Sequence, residues 1–291
     1  MMKNLKKIAL GLSLVLTLTG CGNKKEDTNS NSSASNQAKS EDRFADAKEI
    51  KIGVCGEKNE VLEDVAKRFE KDTGKKIKIV PFSDYNQPNE ALNSGDIDIN
   101  SFQHKKFLED YNKSHKTDIV SVGDTLLAPM GIYSDKIKDV KEIKDGDKIA
   151  IPNDPTNGAR ALFLLQSAGL IEVEGKEGDA ITLDNIKENP KNLEIIELDA
   201  SQTARNLTEV AASVINSGMA VDAGFIPTED SIYLEDKDDP AKAIYVNIFA
   251  ARKEDKDSKT LENFVKNYYQ TEETKKLIEK ETKGSEIPAW K

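Results

Sequence analysis

A strand–helix alternation runs twice through this chain and leaves few folds open to it. From residue 46, "EIKIGV" reads as a strand. "NEVLEDVAKRFEKDTG" then places Val61, Leu62, Val65, Ala66 and Phe69 at helical spacing before Gly74 stops the run. "KIKIVPF" is a second strand, Pro88 opens a short helix in "QPNEALNSG", "DIDINSF" is a third strand, and "KKFLEDY" begins another helix. The second round starts at "KIAIPNDP", continues through a helix carrying Arg160, and offers "LEIIELDA" and "VDAGFI" as later strands. Each round predicts a parallel, doubly wound sheet, so the fold class is α/β with two lobes. Two apolar, extended stretches, 127–136 and 243–254, are expected to be the crossings between them. That division gives 46–130 plus 245–291 as lobe 1 and 131–244 as lobe 2, with the helices around "LENFVKNYY" returning to lobe 1. The cleft between the lobes is the expected ligand site.

Upstream of the alternation the chain changes character. Residues 1–20 read as a signal peptide: Lys3, Lys6 and Lys7 precede an apolar run from Ile8 to Thr19 that is too short to span a bilayer as a helix. Leu18-Thr19-Gly20 directly before Cys21 resembles the bacterial lipobox, in which the cysteine is lipidated and becomes the mature N-terminus. Residues 21–45, rich in Ser and Asn and poor in apolar residues, read as a lipidated N-terminus followed by a disordered tether. The expected location is the cell membrane, lipid-anchored on its extracytoplasmic face. Net charge is −10, the leader removes three lysines and no acid, and no basic patch stands out, which argues against nucleic acid as a partner. Cys55 is the one cysteine left besides Cys21, so no disulfide framework exists.

Catalytic chemistry is thin. His104 and His115 are the only histidines, and no G-x-S-x-G, Walker-type loop or G-x-G-x-x-G occurs. "DIDIN" (96–100) imitates the start of a calcium loop, but Ser101 stands where glycine is needed and Phe107 where the bidentate Glu belongs. Zinc would need partners for His104 that the sequence does not supply. The chain therefore reads as no enzyme, with no metal and no cofactor.

Two short segments carry more. In "NDPTNGAR", Pro155 suits a first helical turn with Asp154 or Thr156 as cap, and the helix stops at Gly169. Arg160 there is either a solvated arginine or a clamp that shares one carboxylate with the helix N-terminus. On the clamp reading, Arg160→Ala is expected to abolish binding while leaving the ligand-free fold near wild-type stability. In "SFQHKKF", Phe102 and His104 fall on one face of an extended segment at the carboxyl end of a strand, where open α/β sheets bind ligands.

"DYNQPNEALNSGDIDINSFQHKKFLEDY", "PMGIYSDKIK", "AIPNDPTNGARALFLLQSAGLI", "ENPKNLEIIELDASQTAR", "VINSGMA" and "YVNIFAARKED" together resemble the NlpA/MetQ lipoprotein family, over essentially the whole folded body. The resemblance implies a periplasmic-binding-protein-like (type II) fold. It also implies capture of methionine, L-methionine first, for an ABC transporter permease with its ATPase. Alternatives are D-methionine, a methionyl dipeptide, or an adhesion role for the lipoprotein. Residue by residue, Arg160 matches the arginine that pairs with the ligand carboxylate. Asn216 and Asn247 match asparagines holding the amino and carboxylate groups, and Tyr85, Phe102 and His104 match an aromatic wall around the thioether. "SQTARNLTEVAASVIN" lacks an acidic pair often seen before the asparagine, and "NSGMAV" replaces an aromatic-containing tail.

Overall fold

The computed structural model describes residues 42–290. The chain runs β1 (Glu49–Cys55), α1 (Glu60–Thr73), β2 (Lys76–Phe82), α2 (Gln87–Ser94), β3 (Ile99–Asn100), α3 (Lys105–His115) and β4 (Val120–Leu127). It continues with β5 (Gly131–Tyr133), β6 (Lys148–Pro152), α4 (Pro155–Ser167), β7 (Glu172–Val173), β8 (Ile186–Glu188), β9 (Glu194–Leu198) and α5 (Ala200–Thr203). Then come β10 (Ala212–Ile215), α6 (Ser217–Asp222), α7 (Pro227–Asp230), β11 (Tyr233–Leu234), β12 (Val246–Ala251), α8 (Lys259–Asn263), α9 (Glu272–Glu281) and β13 (Ile287–Pro288).

The strands form two large sheets. The first has the order β2-β1-β3-β12-β4-β13 and the second β9-β6-β10-β5-β11, while β7 and β8 pair separately. In each, three parallel strands meet an antiparallel one: β12 against β3 in the first, β5 against β10 in the second. The sheets are therefore mixed, where the alternation alone predicts parallel ones. The departing strands are those that arrive from the other lobe, and a strand entering by a crossing has no helix behind it to set a parallel direction.

Both sheets are covered on two faces. In β12, Phe249 and Ala251 join Ile50, Ile52, Leu62, Val65 and Phe69 on one side of the first sheet. Ile248 and Ala250 join Leu92, Ile97, Leu108 and Tyr111 on the other. The segment 243–254 is thus only partly a crossing: its first residues close a 3-10 turn, Pro240–Tyr245, and the rest is a central strand. In the second sheet, Ile149, Ile151, Ala212 and Val214 bury against α4, each such side chain contributing about 1.5–3 kcal/mol, Ala212 less. A side chain at Gly53 would force its neighbours to move, because a Cβ there would crowd Ile97 Cδ1 and lie 3.1 Å from Phe82 Cε2.

Three further expectations change. "VDAGFI" is no strand: its first two residues end α6, 217–222, whose Ser217 and Ala220, three apart, are both buried, and the strand is the preceding "ASVI". Four alternating residues cannot distinguish the two periods. "DIDINSF" contributes only Ile99–Asn100 to the sheet, because the Asp98 carboxylate takes the Lys51 amide at 2.8 Å in place of a ladder bond. The end of the expected tether, 42–45, belongs to the folded body. Phe44 is buried in the first lobe's core, Arg43 pairs with Asp255 at 2.8 Å, and Asp42 accepts from Ser258 Oγ and the Thr260 amide. Among the described residues no helix is long and apolar enough to cross a membrane.

Candidate functional site

A cavity of about 230 Å³ lies between the two sheets, and Tyr85, Phe102, His104, Arg160, Asn216 and Asn247 all line it. The first sheet's side supplies the loop after β2, the segment between β3 and α3, and Asn247 of β12. The second supplies the first turns of α4 and α6.

Arg160 is not a solvated arginine: its side chain is 3% exposed and pairs with Glu235, itself 2% exposed. Nε donates to Oε1 at 3.0 Å and Nη2 to Oε2, while Nη2 also donates to the Ala128 carbonyl at 3.0 Å. The guanidinium carbon sits 4.2 Å from the Tyr245 ring centroid. Among the described residues Nη1 has no protein acceptor, so it is the donor left to the cavity that Arg160 lines. Glu235 also takes the Met130 amide at 3.1 Å and stands 3.3 Å from Lys242, whose ammonium lies 2.7 Å from Glu177. Tyr245 closes the chain by donating to Glu177 at 2.7 Å. Burial alone would raise the Glu235 carboxyl, but Arg160 and then Lys242 outweigh it and hold it below the usual carboxylate value.

A second polar chain starts at Asp154, which caps α4 by accepting the Asn157 amide at 2.9 Å. Its two oxygens also accept from Asn157 Nδ2, at 3.1 and 3.0 Å. A carboxylate can only accept, so the Asn157 oxygen must face away from it, toward the cleft. That oxygen takes Asn216 Nδ2 at 2.8 Å and lies 3.4 Å from His104 Nε2. Because His104 Nδ1 accepts the Phe107 amide at 3.1 Å, the proton of the neutral ring is on Nε2. Burial first, and the Arg160 charge second, push His104 down to about 3, so the ring is neutral across the ordinary pH range. The chain leaves one atom over: Asn216 Oδ1 is buried with no hydrogen-bond partner. A buried acceptor in that state is costly until something donates to it.

The apolar end of the cavity is a cluster of rings. Tyr85 and Phe102 have centroids 6.0 Å apart, and Phe107 stands 5.7 Å from Phe102 and 6.2 Å from His104. A buried amide knot holds the segment that carries them. Asn89 donates to Gln103 at 2.9 Å, and Asn100 and Gln103 both donate back to Asn89, at 2.9 and 2.8 Å. His104 forms an isolated antiparallel bridge with Asn247, and the Ile248 amide reaches the Gln103 carbonyl at 3.0 Å. Met219 and Cys55 also line the cavity, with the Cys55 thiol pushed up by burial and donating to the Asp84 carbonyl at 3.1 Å. At the rim, Asp222 of α6 accepts the Glu57 and Lys58 amides at 3.2 and 3.3 Å, and Thr156 reaches Asp110 at 3.0 Å. Gly56 makes the first contact possible: with φ +92° and an Asp222 oxygen 2.1 Å from where a Cβ would be, only glycine fits.

The sequence reading missed Glu235, Asn157, Phe107 and Asp222. Asn157 lies inside "NDPTNGAR" and Phe107 three residues past His104, so both were within reach of helical spacing. Glu235 sits in the acidic run "LEDKDD" and resembles solvated charge. Among the described residues no cluster of three His, Cys, Asp or Glu side chains is placed to hold a metal ion. The arrangement presents one guanidinium donor, one orphan amide acceptor and an aromatic pocket beside them.

Comparison with known proteins places this geometry among relatives. The family model described as NlpA lipoprotein matches residues 50–290. The D-methionine-binding lipoprotein MetQ of Salmonella typhimurium is 39% identical over 278 residues, which covers 94% of each chain. The solved structure of protein PG110 from Staphylococcus aureus shares 47% identity at a TM-score of 0.79, covering 82% of this chain and 94% of that one. A nutrient binding protein from Burkholderia cenocepacia, solved bound to methionine, shares 43% identity at a TM-score of 0.78, covering 83% and 100%.

Proposed function

The chain belongs to the NlpA lipoprotein family, and on that premise we propose that it captures methionine in the interlobe cleft and delivers it to an ABC permease with its ATPase. It is a binding protein and not an enzyme. Arg160 Nη1 holds the ligand carboxylate together with the Asn247 amide, Asn216 Oδ1 accepts from the ammonium, and Tyr85, Phe102 and His104 pack around the thioether. Sulfur is well placed against ring edges, which are electropositive. The lobes 46–130 plus 245–291 and 131–244 move as bodies about the stretches near 128–130 and 245–246, and the rim contacts of Asp222 and Thr156 hold the closed form. Cys21, outside the described residues, carries the lipid that keeps the protein on the extracytoplasmic face of the cell membrane.

The observation that supports this reading most is that one cavity is lined both by Asn216, whose oxygen has no partner, and by Arg160, which keeps one unshared nitrogen, because a zwitterion answers both at once. Native mass spectrometry of the purified protein, followed by calorimetric titration with L- and D-methionine, tests it. The expected result is a retained mass matching methionine, and after its removal tight binding of the L-enantiomer. Binding of neither enantiomer by the stripped protein overturns the reading.

A further inference from the structure

Arg160 enters the cleft as half of a neutral pair, and that has a consequence for which ligands are admitted. Around its guanidinium, Glu235, Lys242 and Glu177 alternate in sign at 3.3 and 2.7 Å, so two cations and two carboxylates cancel. Glu235 and Lys242 are both nearly inaccessible, so bulk solvent screens their charges weakly. At the opposite end, the Asp154 carboxylate lies directly behind the Asn157 amide, which in turn holds Asn216. The His104 ring between them is neutral. The carboxylate end of the cleft is thus charge-balanced before a ligand arrives, while the ammonium end is backed by a negative charge.

We propose that Glu235 is a specificity-determining residue that makes the cleft select a zwitterion and reject the corresponding anion. It touches no ligand; it acts through Arg160. With Glu235 in place, an anion lacking the ammonium group adds an uncompensated negative charge to a buried, balanced network and also leaves Asn216 Oδ1 unpaired. Without the Glu235 charge, Arg160 and Lys242 give the site a net positive charge that answers the anion. This inference rests on the reading of Arg160 as the partner of the ligand carboxylate.

The test compares dissociation constants for L-methionine and for 2-hydroxy-4-(methylthio)butanoate, its anionic hydroxy analogue, in wild type, Glu235→Gln and Lys242→Met. Gln keeps the shape and can still accept from Met130 and Arg160. In Glu235→Gln the preference for methionine over the hydroxy acid is expected to shrink by about tenfold or more, the scale of one unscreened charge at close range. In Lys242→Met, which removes a cation and leaves the network negative, the preference is expected to grow. A purely structural role would loosen both ligands together in both variants and move neither ratio. Wild type that binds methionine while both variants keep its ratio overturns this inference alone. Wild type that binds neither compound overturns the assignment of the ligand, and this inference with it. If Glu235→Gln does not fold, the direction of the Lys242→Met shift decides.

Discussion

Asn157 orients Asn216: its oxygen takes Asn216 Nδ2 at 2.8 Å, so the Asn216 oxygen is the end left buried without a partner. Asn157 can do this only because the Asp154 carboxylate claims its own amide nitrogen. Removing Asn157 frees the Asn216 amide to rotate and present either end. Asn157→Ala is expected to weaken methionine binding by about ten- to a hundredfold, the 1–3 kcal/mol of one misplaced buried hydrogen bond. Titration calorimetry reads this directly, and unchanged affinity would show that Asn216 is held by something else.

Arg160→Ala should lose binding and stability together. The binding loss, on the order of 2–5 kcal/mol, follows from removing one partner of a desolvated charge pair. The stability loss is what the sequence did not foresee: Glu235 is left buried without its main partner, which costs about 3–5 kcal/mol. A ligand-free melting temperature lowered by roughly 10 °C is expected from calorimetry. Replacing both members, Arg160→Met with Glu235→Met, should restore most of the melting temperature and none of the binding. A ligand-free Arg160→Ala protein that melts with the wild type would show the pair to be energetically idle.

His104 makes stability depend on pH below neutrality. Its folded value of about 3 lies under the unfolded 6.5, so between those limits the unfolded chain binds a proton that the native state refuses. The contribution is fully present above pH 6.5 and is lost as pH falls toward 3. His104→Asn keeps a side chain able to cap α3 and has no such proton. Denaturant melts of the two proteins at pH 7, 6, 5 and 4 should diverge, with wild type losing up to about 1.4 kcal/mol per pH unit more than the variant. Parallel curves would mean that His104 titrates near its ordinary value.

Phe102→Ala removes a wall and leaves the polar groups untouched. Side-chain burial worth about 1.5–3 kcal/mol is at stake. Methionine and norleucine, nearly equal in shape, should both weaken, with methionine losing more because it also loses ring contacts to sulfur. Equal affinities before and after would put Phe102 outside the ligand's reach.

Cys21→Ser should abolish membrane anchoring. Metabolic labelling with a fatty acid and detergent partition check it, and a labelled serine variant would move the lipid elsewhere.

What could be seen in the sequence depended on whether the cause was local. Helix α1 was legible because its five apolar positions repeat at one period and Gly74, at φ 71°, ends it with a backbone bond to Glu70. The six cavity-lining residues came from short segments whose neighbours in sequence are also neighbours in space. Glu235 was illegible, since its burial is decided by Arg160, 75 residues away, and by a lysine seven residues on whose own partner is Glu177. Phe44 was lost for a related reason: one aromatic at the end of a polar run gives no period, and only the assembled core around Phe69 and Phe264 reveals its place.

The docking of residues 42–44 decides where a mechanical load enters the molecule. A pull along the chain from its N-terminal side meets Asp42 clamped to Ser258 and Thr260, then Arg43 clamped to Asp255, then Phe44 wedged in the core. All of these grip the first lobe, on the segment that directly follows β12. Tension applied at residue 42 is therefore borne by the first lobe, and in the hinge motion we propose the second lobe would be carried as an unloaded lever.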